Sequence, residues 1–454
     1  IANISASNEL VAKAAYRREL VKQHSARLNA GYVYTSSGPT ESSKDLVFGG
    51  HTMVAENGSL LAEGKLFELS GERLFADLDI QKLLHERARN GTFANQLPSA
   101  GEPAYRVIDL KLNGSLRELE RTFSKTPALP SDPAERGFRF QEILSIQATG
   151  LARRLTAARS ETMVIGVSGG LDSTWALLVT IEAAKLLRWN PTRIVGITLP
   201  GMGTTSGTKK AALDLMQALG VTKLEIPIGA SVHQHFKDIG HNPEQHDVVY
   251  ENSQARERTQ ILFDVANQRR GIVVGTGDLS ELCLGWCTYN GDHMANYGVN
   301  ASIYKTLMQG LVDWYATSLA GNPSVSETLR RVLATEISPE LLPPAADGSI
   351  GQSTESLIGP YRLHDFFIHH HLRSGFSPEK IYHLAVPTFA DEYAPAVIRK
   401  WLRMFFQRFY SQQFKRTTLP SGPKIGSVSV SPRGDLRLPD EVDCQRILDR
   451  IDEL

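Results

Sequence analysis

This chain is constrained most by one ten-residue run, Val-Ile-Gly-Val-Ser-Gly-Gly-Leu-Asp-Ser, at residues 164–173. Its apolar start predicts a buried strand, its glycines predict a tight loop, and the apolar residues 174–187 predict a helix. A strand, a loop and a helix N-terminus in that order form an anion cradle, because backbone N–H groups and the helix dipole point at the loop. Ser168 and Ser173 would add hydroxyl donors, and Asp172 could hold a magnesium ion against bound phosphates.

The run is not a Walker loop, because it lacks the Gly-x4-Gly-Lys-Ser/Thr pattern. It resembles the Ser-Gly-Gly-x-Asp-Ser signature of the PP-loop ATP pyrophosphatases, and this resemblance implies cleavage of ATP between the α and β phosphates. The alternative is an ordinary strand–helix turn that happens to be rich in glycine. Six matching residues between a predicted strand and a predicted helix favour the phosphate loop.

Strands and helices alternate from residue 139 onward, with short connections. The predicted order is helix 140–159, strand 163–167, helix 173–187, strand 193–198, helix 207–219, strand 223–226, helix 252–269 and strand 271–275. This alternation predicts an α/β fold with a doubly wound parallel sheet. Such sheets bind ligands at the carboxyl ends of their strands, where both the glycine-rich loop and residues 275–278 are expected.

The residues before this region show a different pattern. Helices are predicted at 9–29 and 80–88, and strands at 32–35, 46–48, 51–55, 60–66 and 105–111. Residues 124–137 contain three prolines and few large apolar side chains, which predicts a linker. We therefore expect one domain at 1–123, a linker at 124–137 and a second domain at 138–454.

The composition excludes several classes of protein. Lys plus Arg and Asp plus Glu both number 49, so the balanced charge gives no general attraction to nucleic acid or to a membrane surface. No apolar run reaches the length of a membrane span. Three cysteines are too few for a disulfide framework, and the spacing of Cys283 and Cys287 without a second pair makes zinc a poor fit. A reducing cytoplasm fits best.

Two further segments carry candidate ligand-binding residues. In residues 251–258, Asn252 and Arg256 lie near the start of a predicted helix, and Arg256 suits an anion; the alternative is a solvated charged face. In residues 275–293, Glu281 and Asp292 could join Asp172 as oxygen ligands for magnesium, and Trp286 offers a flat face to an aromatic ring. The alternative there is a turn-rich loop with one core tryptophan.

Four motifs together resemble those of the NAD+ synthetases. They are Ser-Gly-Gly-Leu-Asp-Ser at 168–173, Glu-Asn-x-Gln-Ala-Arg-x-Arg at 251–258, Gly-Thr-x-Asp-Leu-Ser-Glu at 275–281 and Gly-Trp-x-Thr-Tyr-Asn-Gly-Asp-His at 285–293. Ile358-Gly359-Pro360-Tyr361 agrees with the same family, and the resemblance covers residues 135–440. It implies a PP-loop domain of the adenine nucleotide α-hydrolase-like type.

The resemblance also implies roles for individual residues. The implied ATP-binding residues are Ser168, Gly169, Gly170, Asp172, Ser173, Arg256, Thr276 and Lys305. The implied deamido-NAD+ residues are Asn252, Trp286, Asp292 and Lys415. Asp172 and Glu281 are implied magnesium ligands, and Lys305 is placed to neutralise phosphate charge.

The first 120 residues resemble the C-terminal part of a nitrilase-like glutaminase domain, an α/β sandwich fused to the synthetase in larger family members. Asn3-Ile4-Ser5-Ala6-Ser7 and Ala30-Gly31-Tyr32-Val33-Tyr34 carry this likeness, and Ser5 and Ser7 match the strand of the glutamine pocket. These domains use a Glu–Lys–Cys triad, yet no cysteine precedes Cys283. We expect a longer natural protein, of which this chain is a part; the alternative is a truncated remnant that serves only for packing.

The family resemblance implies a reaction and its partners. Deamido-NAD+ is activated by ATP, with magnesium, to an acyl-adenylate, and ammonia from glutamine then yields NAD+, AMP and pyrophosphate. Without the cysteine of the glutaminase triad, these residues alone would use only free ammonia. A homo-oligomer built on synthetase-domain dimers is implied, with no nucleic-acid or membrane partner. Two alternatives remain, another PP-loop amidotransferase such as asparagine or GMP synthetase, and a non-catalytic nucleotide-binding protein.

Three consecutive histidines, at residues 369–371, look like a metal-binding tract. Consecutive helical side chains point about 100° apart, so they do not easily share one ion. We expect structural histidines on the surface.

Overall fold

The computed structural model describes residues 1–92, 106, 108–109, 119–338, 341–343 and 353–454. The chain divides into two compact units, which we call unit 1 (residues 1–124 and 370–377) and unit 2 (residues 125–369 and 378–454). The strand predicted at 105–111 lies largely outside the described residues. The domain limits proposed from the sequence stay a prediction. Within the described residues, no helix has both the length and the apolar character needed to cross a membrane.

Unit 1 contains a four-stranded sheet with a helix packed on it. Its elements are β1 (Ala2–Ser5), α1 (Lys13–Arg27), β2 (Gly31–Ser36), β3 (Thr52–Glu56), β4 (Ser59–Glu63) and α2 (Ile80–Arg89). The sheet order is β1-β2-β3-β4, with β1 parallel to β2 and the other two pairs antiparallel. Val21 of α1 and the alternate side chains Tyr32, Tyr34, Met53 and Ala55 form its apolar core.

Two details of unit 1 differ from the prediction. The helix starts at Lys13 instead of residue 9. The strand expected at 46–48 forms only a single bridge between Phe48 and Asn8, because the segment is too short to continue the ladder.

Unit 2 is built around a parallel sheet. Its first elements are α3 (Pro133–Ala158), β5 (Thr162–Gly166), α4 (Leu171–Leu187), β6 (Ile194–Thr198), α5 (Ser206–Ala218), β7 (Thr222–Glu225), α6 (Gly229–Ile239), α7 (Val248–Gln268), β8 (Gly271–Gly275), α8 (Leu279–Leu284) and β9 (Tyr297–Gly298). The sheet order is β7-β6-β5-β8-β9, and every neighbouring pair is parallel. The doubly wound sheet expected from the alternating pattern is therefore confirmed.

The strand order places a ligand crevice at one position. From β5 the chain moves outward through β6 to β7, and it then returns to β8 on the opposite side of β5. The carboxyl ends of β5 and β8 are therefore neighbours at the switch point of the sheet, where open α/β sheets bind ligands. Residues 167–170 and 276–278 are the loops that follow these two strands.

Helix α3 begins within the predicted linker. Asp132 caps its N-terminus by accepting a hydrogen bond from the Ala134 N–H, and Pro133 occupies the first turn. Proline suits this position because its fixed φ matches the helix and its missing N–H leaves no donor unsatisfied. A proline taken as a sign of a linker is therefore a helix start.

The helices after β9 pack on one another and on earlier helices of unit 2. They are α9 (Lys305–Ser318), α10 (Pro323–Ala334), α11 (Thr354–Ile358), α12 (Tyr361–Ile368), α13 (Pro378–Thr388), α14 (Pro395–Ser411), α15 (Gln413–Thr417) and α16 (Gln445–Asp452). Between α12 and α13, His369–Arg373 forms a π-helical turn. The prediction that the three histidines lie on the surface is partly wrong, because His370 is buried and stacks on Phe376.

Candidate active site

The glycine-rich loop leaves β5 and enters α4 through a backbone that only glycine accommodates. Gly169 has φ +89°, and a Cβ atom at this position would lie 2.1 Å from the carbonyl oxygen of Thr208. Both facts exclude a side chain, since the left-handed region and this close approach are open to glycine alone. The loop therefore runs directly against the first turn of α5.

Two hydroxyl groups brace the loop. Ser173 Oγ accepts a hydrogen bond from the Ser168 N–H at 3.2 Å and donates to the Gly170 carbonyl at 3.2 Å. Ser168 Oγ lies 3.1 Å from Ser173 Oγ and accepts from the Gly170 N–H at 3.2 Å. These serines thus preorganise the cradle and stay close to its backbone donors.

Three carboxylates and one ammonium group meet at the switch point, and we call them the acidic cluster: Asp172, Asp278, Glu281 and Lys305. Asp172 lies in the first turn of α4, Asp278 caps α8 by accepting from the Glu281 N–H at 2.8 Å, and Lys305 opens α9. The Lys305 Nζ atom lies 2.8 Å from Asp172, 2.6 Å from Asp278 and 2.8 Å from Glu281. Three helices, α4, α8 and α9, therefore deliver charge to one place.

The electrostatics of the acidic cluster are unbalanced. Burial raises the pKa of Asp278 well above its usual range, and it raises the pKa of Glu281 to about 7, although Lys305 opposes both shifts. Burial alone would lower the pKa of Lys305, but the three carboxylates raise it well above normal. Three carboxyl groups thus face a single ammonium, and a further cation bound among them would favour their charged forms.

The acidic cluster is also where a metal ion could bind. One carboxylate oxygen from each of Asp172, Asp278 and Glu281 lies within 4.8 Å of the others. Asp292, predicted from the sequence as a further ligand, is not in this group. Its Oδ1 accepts the Thr288 N–H at 2.7 Å. Asp278 was missed. Its position directly after a buried strand was the available signal, but its motif gave no reason to choose it.

A buried amide network joins the two loops at the switch point. Asn300 Nδ2 donates to the carbonyl oxygens of Asp172 and Thr276, each at 3.0 Å. Gln147 of α3 holds Asn300 Oδ1 at 3.2 Å and accepts from the Trp175 indole at 3.0 Å. Neither amide carries a sequence signal for this role, since Asn300 lies 128 positions from Asp172 and 153 from Gln147.

Two other predicted residues hold the segment after α8. Asn252 Oδ1 accepts from the Thr288 hydroxyl at 2.7 Å, and Arg256 Nε donates to the Tyr289 carbonyl at 3.3 Å. Asp292 lies on the same segment with an exposed side chain. Helix α7 and residues 288–292 thus form one connected group.

Trp286 and Lys415 lie in a third group, near α14 and α15. The guanidinium of Arg408 lies 5.2 Å from the centre of the Trp286 ring, and Trp286 is half-buried. Lys415 Nζ donates to the carbonyls of Gly285 at 2.8 Å and Cys287 at 2.7 Å. Burial lowers the pKa of Lys415. One face of the tryptophan is therefore already covered by a cation.

The predicted glutamine-pocket residues lie in unit 1. Ser5 ends β1 opposite Ser36, and its carbonyl accepts from the Ser37 N–H at 2.9 Å. The Ser7 hydroxyl accepts from Arg17 at 3.4 Å. Their role in binding glutamine stays a prediction.

Comparison with known proteins identifies the family of the chain. Residues 143–400, more than half of the chain, match the family model described as NAD synthase. A glutamine-dependent NAD(+) synthetase from Mycobacterium tuberculosis is 43% identical, with 100% of this chain and 70% of the relative aligned. A second, from Mycobacterium leprae, is 42% identical with the same coverage.

A solved structure shares the fold. The crystal structure of a glutamine-dependent NAD(+) synthetase from Cytophaga hutchinsonii aligns with a TM-score of 0.57 at 17% identity, covering 99% of this chain and 70% of that one. The expected PP-loop sheet and nitrilase-like part are thus confirmed as the fold class. With a family model over most of unit 2 and close relatives along its whole length, the chain belongs to the NAD synthase family.

Proposed function

We propose that this chain catalyses the ATP-dependent amidation of deamido-NAD+ to NAD+, with release of AMP and pyrophosphate. The observation that carries the proposal is the juxtaposition of a glycine-restricted anion loop with an acidic cluster at the switch point of the sheet. An anion site beside a cation site is what a triphosphate with its counter-ion requires.

In the first step, the nicotinate carboxylate attacks the α-phosphorus of ATP, and pyrophosphate leaves with the electrons of the broken P–O bond. Ser168, Gly169, Gly170 and Ser173 receive the leaving pyrophosphate through backbone N–H groups, hydroxyls and the N-terminus of α4. No side chain needs to act as nucleophile, because catalysis consists of positioning two anions and offsetting their repulsion.

Magnesium fits the acidic cluster by the chemistry of its ligands. Carboxylate oxygens are the ligands that Mg2+ prefers, and Asp172, Asp278 and Glu281 supply three within reach of one ion. When bound there, the ion would offset phosphate charge as a Lewis acid. Lys305 already lies among these carboxylates and supplies a second positive charge to the same place.

In the second step, ammonia attacks the acyl carbon and AMP leaves. Thr276 and Arg256 are assigned to the nucleotide, and Asn252, Trp286, Asp292 and Lys415 to deamido-NAD+. Support comes from their location on the segments that follow β8 and on the helices packed around them. Each assignment is part of the proposal.

Cys283 and Cys287 argue against a thiolating PP-loop enzyme. Cys283 is buried, and burial raises the pKa of its thiol far above normal. Burial also raises the pKa of Cys287 to about 12. Reactive cysteines need the thiolate at neutral pH, and neither environment favours it.

Further parts of the proposal concern the setting of the reaction. We infer a homo-oligomer based on synthetase-domain dimers, a cytoplasmic location and glutamine as the natural source of ammonia. The relatives named above are glutamine-dependent, which supports the last of these.

The test is formation of NAD+ and AMP from deamido-NAD+, ATP and Mg2+, with ammonia in one reaction and glutamine in another. NAD+ with ammonia supports the synthetase function of this chain. NAD+ with glutamine as well would show that the tested polypeptide also carries a working glutaminase. Pyrophosphate release with another carboxylic acid, without NAD+, would contradict the substrate assignment.

A further inference from the structure

A buried carboxylate lies behind the acidic cluster. Asp365 of α12 is 1% exposed. Its Oδ1 accepts the Ser280 hydroxyl, and its Oδ2 accepts the N–H of Thr306 at 2.8 Å and the Thr306 hydroxyl at 2.7 Å. One side chain therefore ties α12 to both α8 and α9.

These bonds complete the N-terminus of α9. Tyr304, the residue at its N-cap position, makes no capping hydrogen bond from its side chain. The Lys305 N–H instead donates to Ser280 Oγ at 2.9 Å, and the next N–H donates to Asp365. A carboxylate here also interacts favourably with the helix dipole. Asp365 thus caps α9 from another helix, directly and through Ser280.

The same helix face contacts the Lys305 side chain. Tyr361 lies one turn before Asp365, and its ring centre is 5.0 Å from Lys305 Nζ. Ser280 in turn lies between the cluster residues Asp278 and Glu281 in sequence. Helix α12 therefore contacts the Lys305 ammonium and fixes the start of α9, where the Lys305 backbone lies. It also bonds α8, which carries two of the three carboxylates.

Burying an ionisable group at this position is costly for a purely structural purpose. Burial raises the pKa of Asp365 to about 6, although hydrogen bonds from Ser280 and Thr306 oppose the shift. An apolar side chain would avoid this desolvation. What it would lose is the fixed position of two backbone N–H groups at the start of α9.

We propose that Asp365 is a positioning residue for the reaction, which acts through Ser280 and the N-terminus of α9 to hold Lys305 among Asp172, Asp278 and Glu281. The inference rests on the proposed function. Partners that orient the groups of an ion site typically contribute 10- to 100-fold to activity, so we expect about that loss of kcat when the connection is broken.

The experiment compares Asp365→Asn, Ser280→Ala and the double variant in ammonia-dependent NAD+ synthesis. Thr328→Val is the matched control, because Thr328 is equally buried and its hydroxyl bonds the Ser324 carbonyl at 2.9 Å in α10. Thermal unfolding is measured for every variant. We expect both single variants to lower kcat about 10- to 100-fold, with the KM for deamido-NAD+ unchanged, and the double variant to be no worse than Asp365→Asn. The control should keep the kcat of the wild type.

Each outcome decides the matter. The positioning role would be overturned if the losses of kcat in the two single variants added in the double variant. It would also be overturned if each loss of kcat were explained by a smaller folded fraction of the variant. If Asp365→Asn does not fold, Ser280→Ala alone decides, since a folded variant with normal kcat contradicts the proposal. An inactive wild-type chain would instead refute the proposed function, so the two failures are distinguishable.

Discussion

The acidic cluster of unit 2 sets three carboxylates against one ammonium group, whereas a charged cluster in unit 1 pairs each charge with an opposite one. In unit 1, Arg17 bonds Glu9 at 2.7 Å, Arg18 bonds Glu63 at 2.7 Å, and His51 lies between Arg17 and Glu63. The Arg18 hydrogen bond helps to lower the pKa of Glu63, so its charged form is favoured by the fold.

The opposite directions of the carboxyl pKa shifts separate the two clusters. In unit 2, burial raises the pKa values of Asp278 and Glu281, so the fold holds these groups at a cost. In unit 1, the charges satisfy one another. Carboxyl groups whose burial is not offset by partners in the fold are typical of a ligand-binding site, whereas balanced ion pairs are typical of a structural network. The comparison predicts that substitutions in the acidic cluster reduce activity and that those in the charged cluster of unit 1 reduce stability.

The largest expected effect is on activity. Asp172→Asn removes one charge from the acidic cluster while it keeps the side-chain volume, and we expect ammonia-dependent NAD+ synthesis to fall about 100- to 1,000-fold. Steady-state kinetics measures this. Asp214→Asn is the matched control, because Asp214 pairs with Lys210 and Arg331 on the surface of unit 2. Equal rates for Asp172→Asn and the wild type would remove Asp172 from the mechanism.

The second prediction concerns stability. Glu9→Gln leaves the buried Arg17 guanidinium without its carboxylate, at a site where the two side chains are 7% and 5% exposed. We expect the free energy of unfolding to fall by about 3 kcal/mol, the lower end for a broken buried pair, because Arg17 keeps His51 as a partner. Urea denaturation measures the loss.

Two controls keep this prediction specific. Glu19→Gln breaks the Lys22 pair, whose glutamate is 61% exposed, and should change the unfolding free energy by less than about 1 kcal/mol. Below the unfolding transition, Glu9→Gln should make NAD+ from ammonia at the wild-type rate. A loss of kcat in folded Glu9→Gln would contradict the division of roles between the clusters.

The sequence predicted one half of this comparison better than the other. Periodicity placed β5, β6, β7 and β8 within a residue or two, because buried parallel strands are short apolar runs between helices. The glycine-rich loop was recognisable because its backbone geometry demands particular residues. Local patterns of this kind can be read without knowledge of distant contacts.

The parts that were missed depend on contacts across the chain. In the sequence, Asp278 looks like any helix cap, and only the fold brings Lys305 to it. Asn300 likewise has no distinguishing pattern, and only the fold brings it to the Asp172 carbonyl. Asp365 lies 85 residues from Ser280 in sequence. A separation of this size carries no periodic signal, so only the folded chain shows which polar side chains meet.

The third prediction uses a buried histidine to extend the contrast. His51 of unit 1 has side-chain partners on both ring nitrogens, whereas His364 Nε2 of unit 2 donates to the Ile358 carbonyl and no described residue bonds its Nδ1. Burial lowers the pKa of His364 to about 4. Below about pH 6.5, His364 is protonated in the unfolded chain but stays neutral in the folded chain. The free energy of unfolding therefore falls as the pH falls.

We expect His364 to lower the free energy of unfolding by about 2 kcal/mol when the pH falls from 7 to 5. His364→Gln keeps a donor in place of Nε2 and should flatten the pH dependence by that amount, while at pH 8 the variant and the wild type should depend on pH alike. Urea denaturation across this range gives the result. An unchanged slope in His364→Gln would assign the acid sensitivity to other groups.

The smallest expected effect distinguishes the clusters by their affinity for a cation. The three carboxyl groups of the acidic cluster should bind Mg2+ without nucleotide and lose their protons as they do so, whereas the balanced cluster of unit 1 should not bind it. At a Mg2+ concentration ten times the Kd, mass action stabilises the folded state by about 1.4 kcal/mol. The unfolding temperature of the wild type and of Glu9→Gln should rise with Mg2+ and return when EDTA is added, and that of Asp172→Asn should not respond. Sodium chloride at matched ionic strength controls for screening, since a general salt effect would raise all three proteins equally. An equal response to Mg2+ in Asp172→Asn would place the bound ion elsewhere. The three carboxylates would then serve only to stabilise the buried ammonium of Lys305.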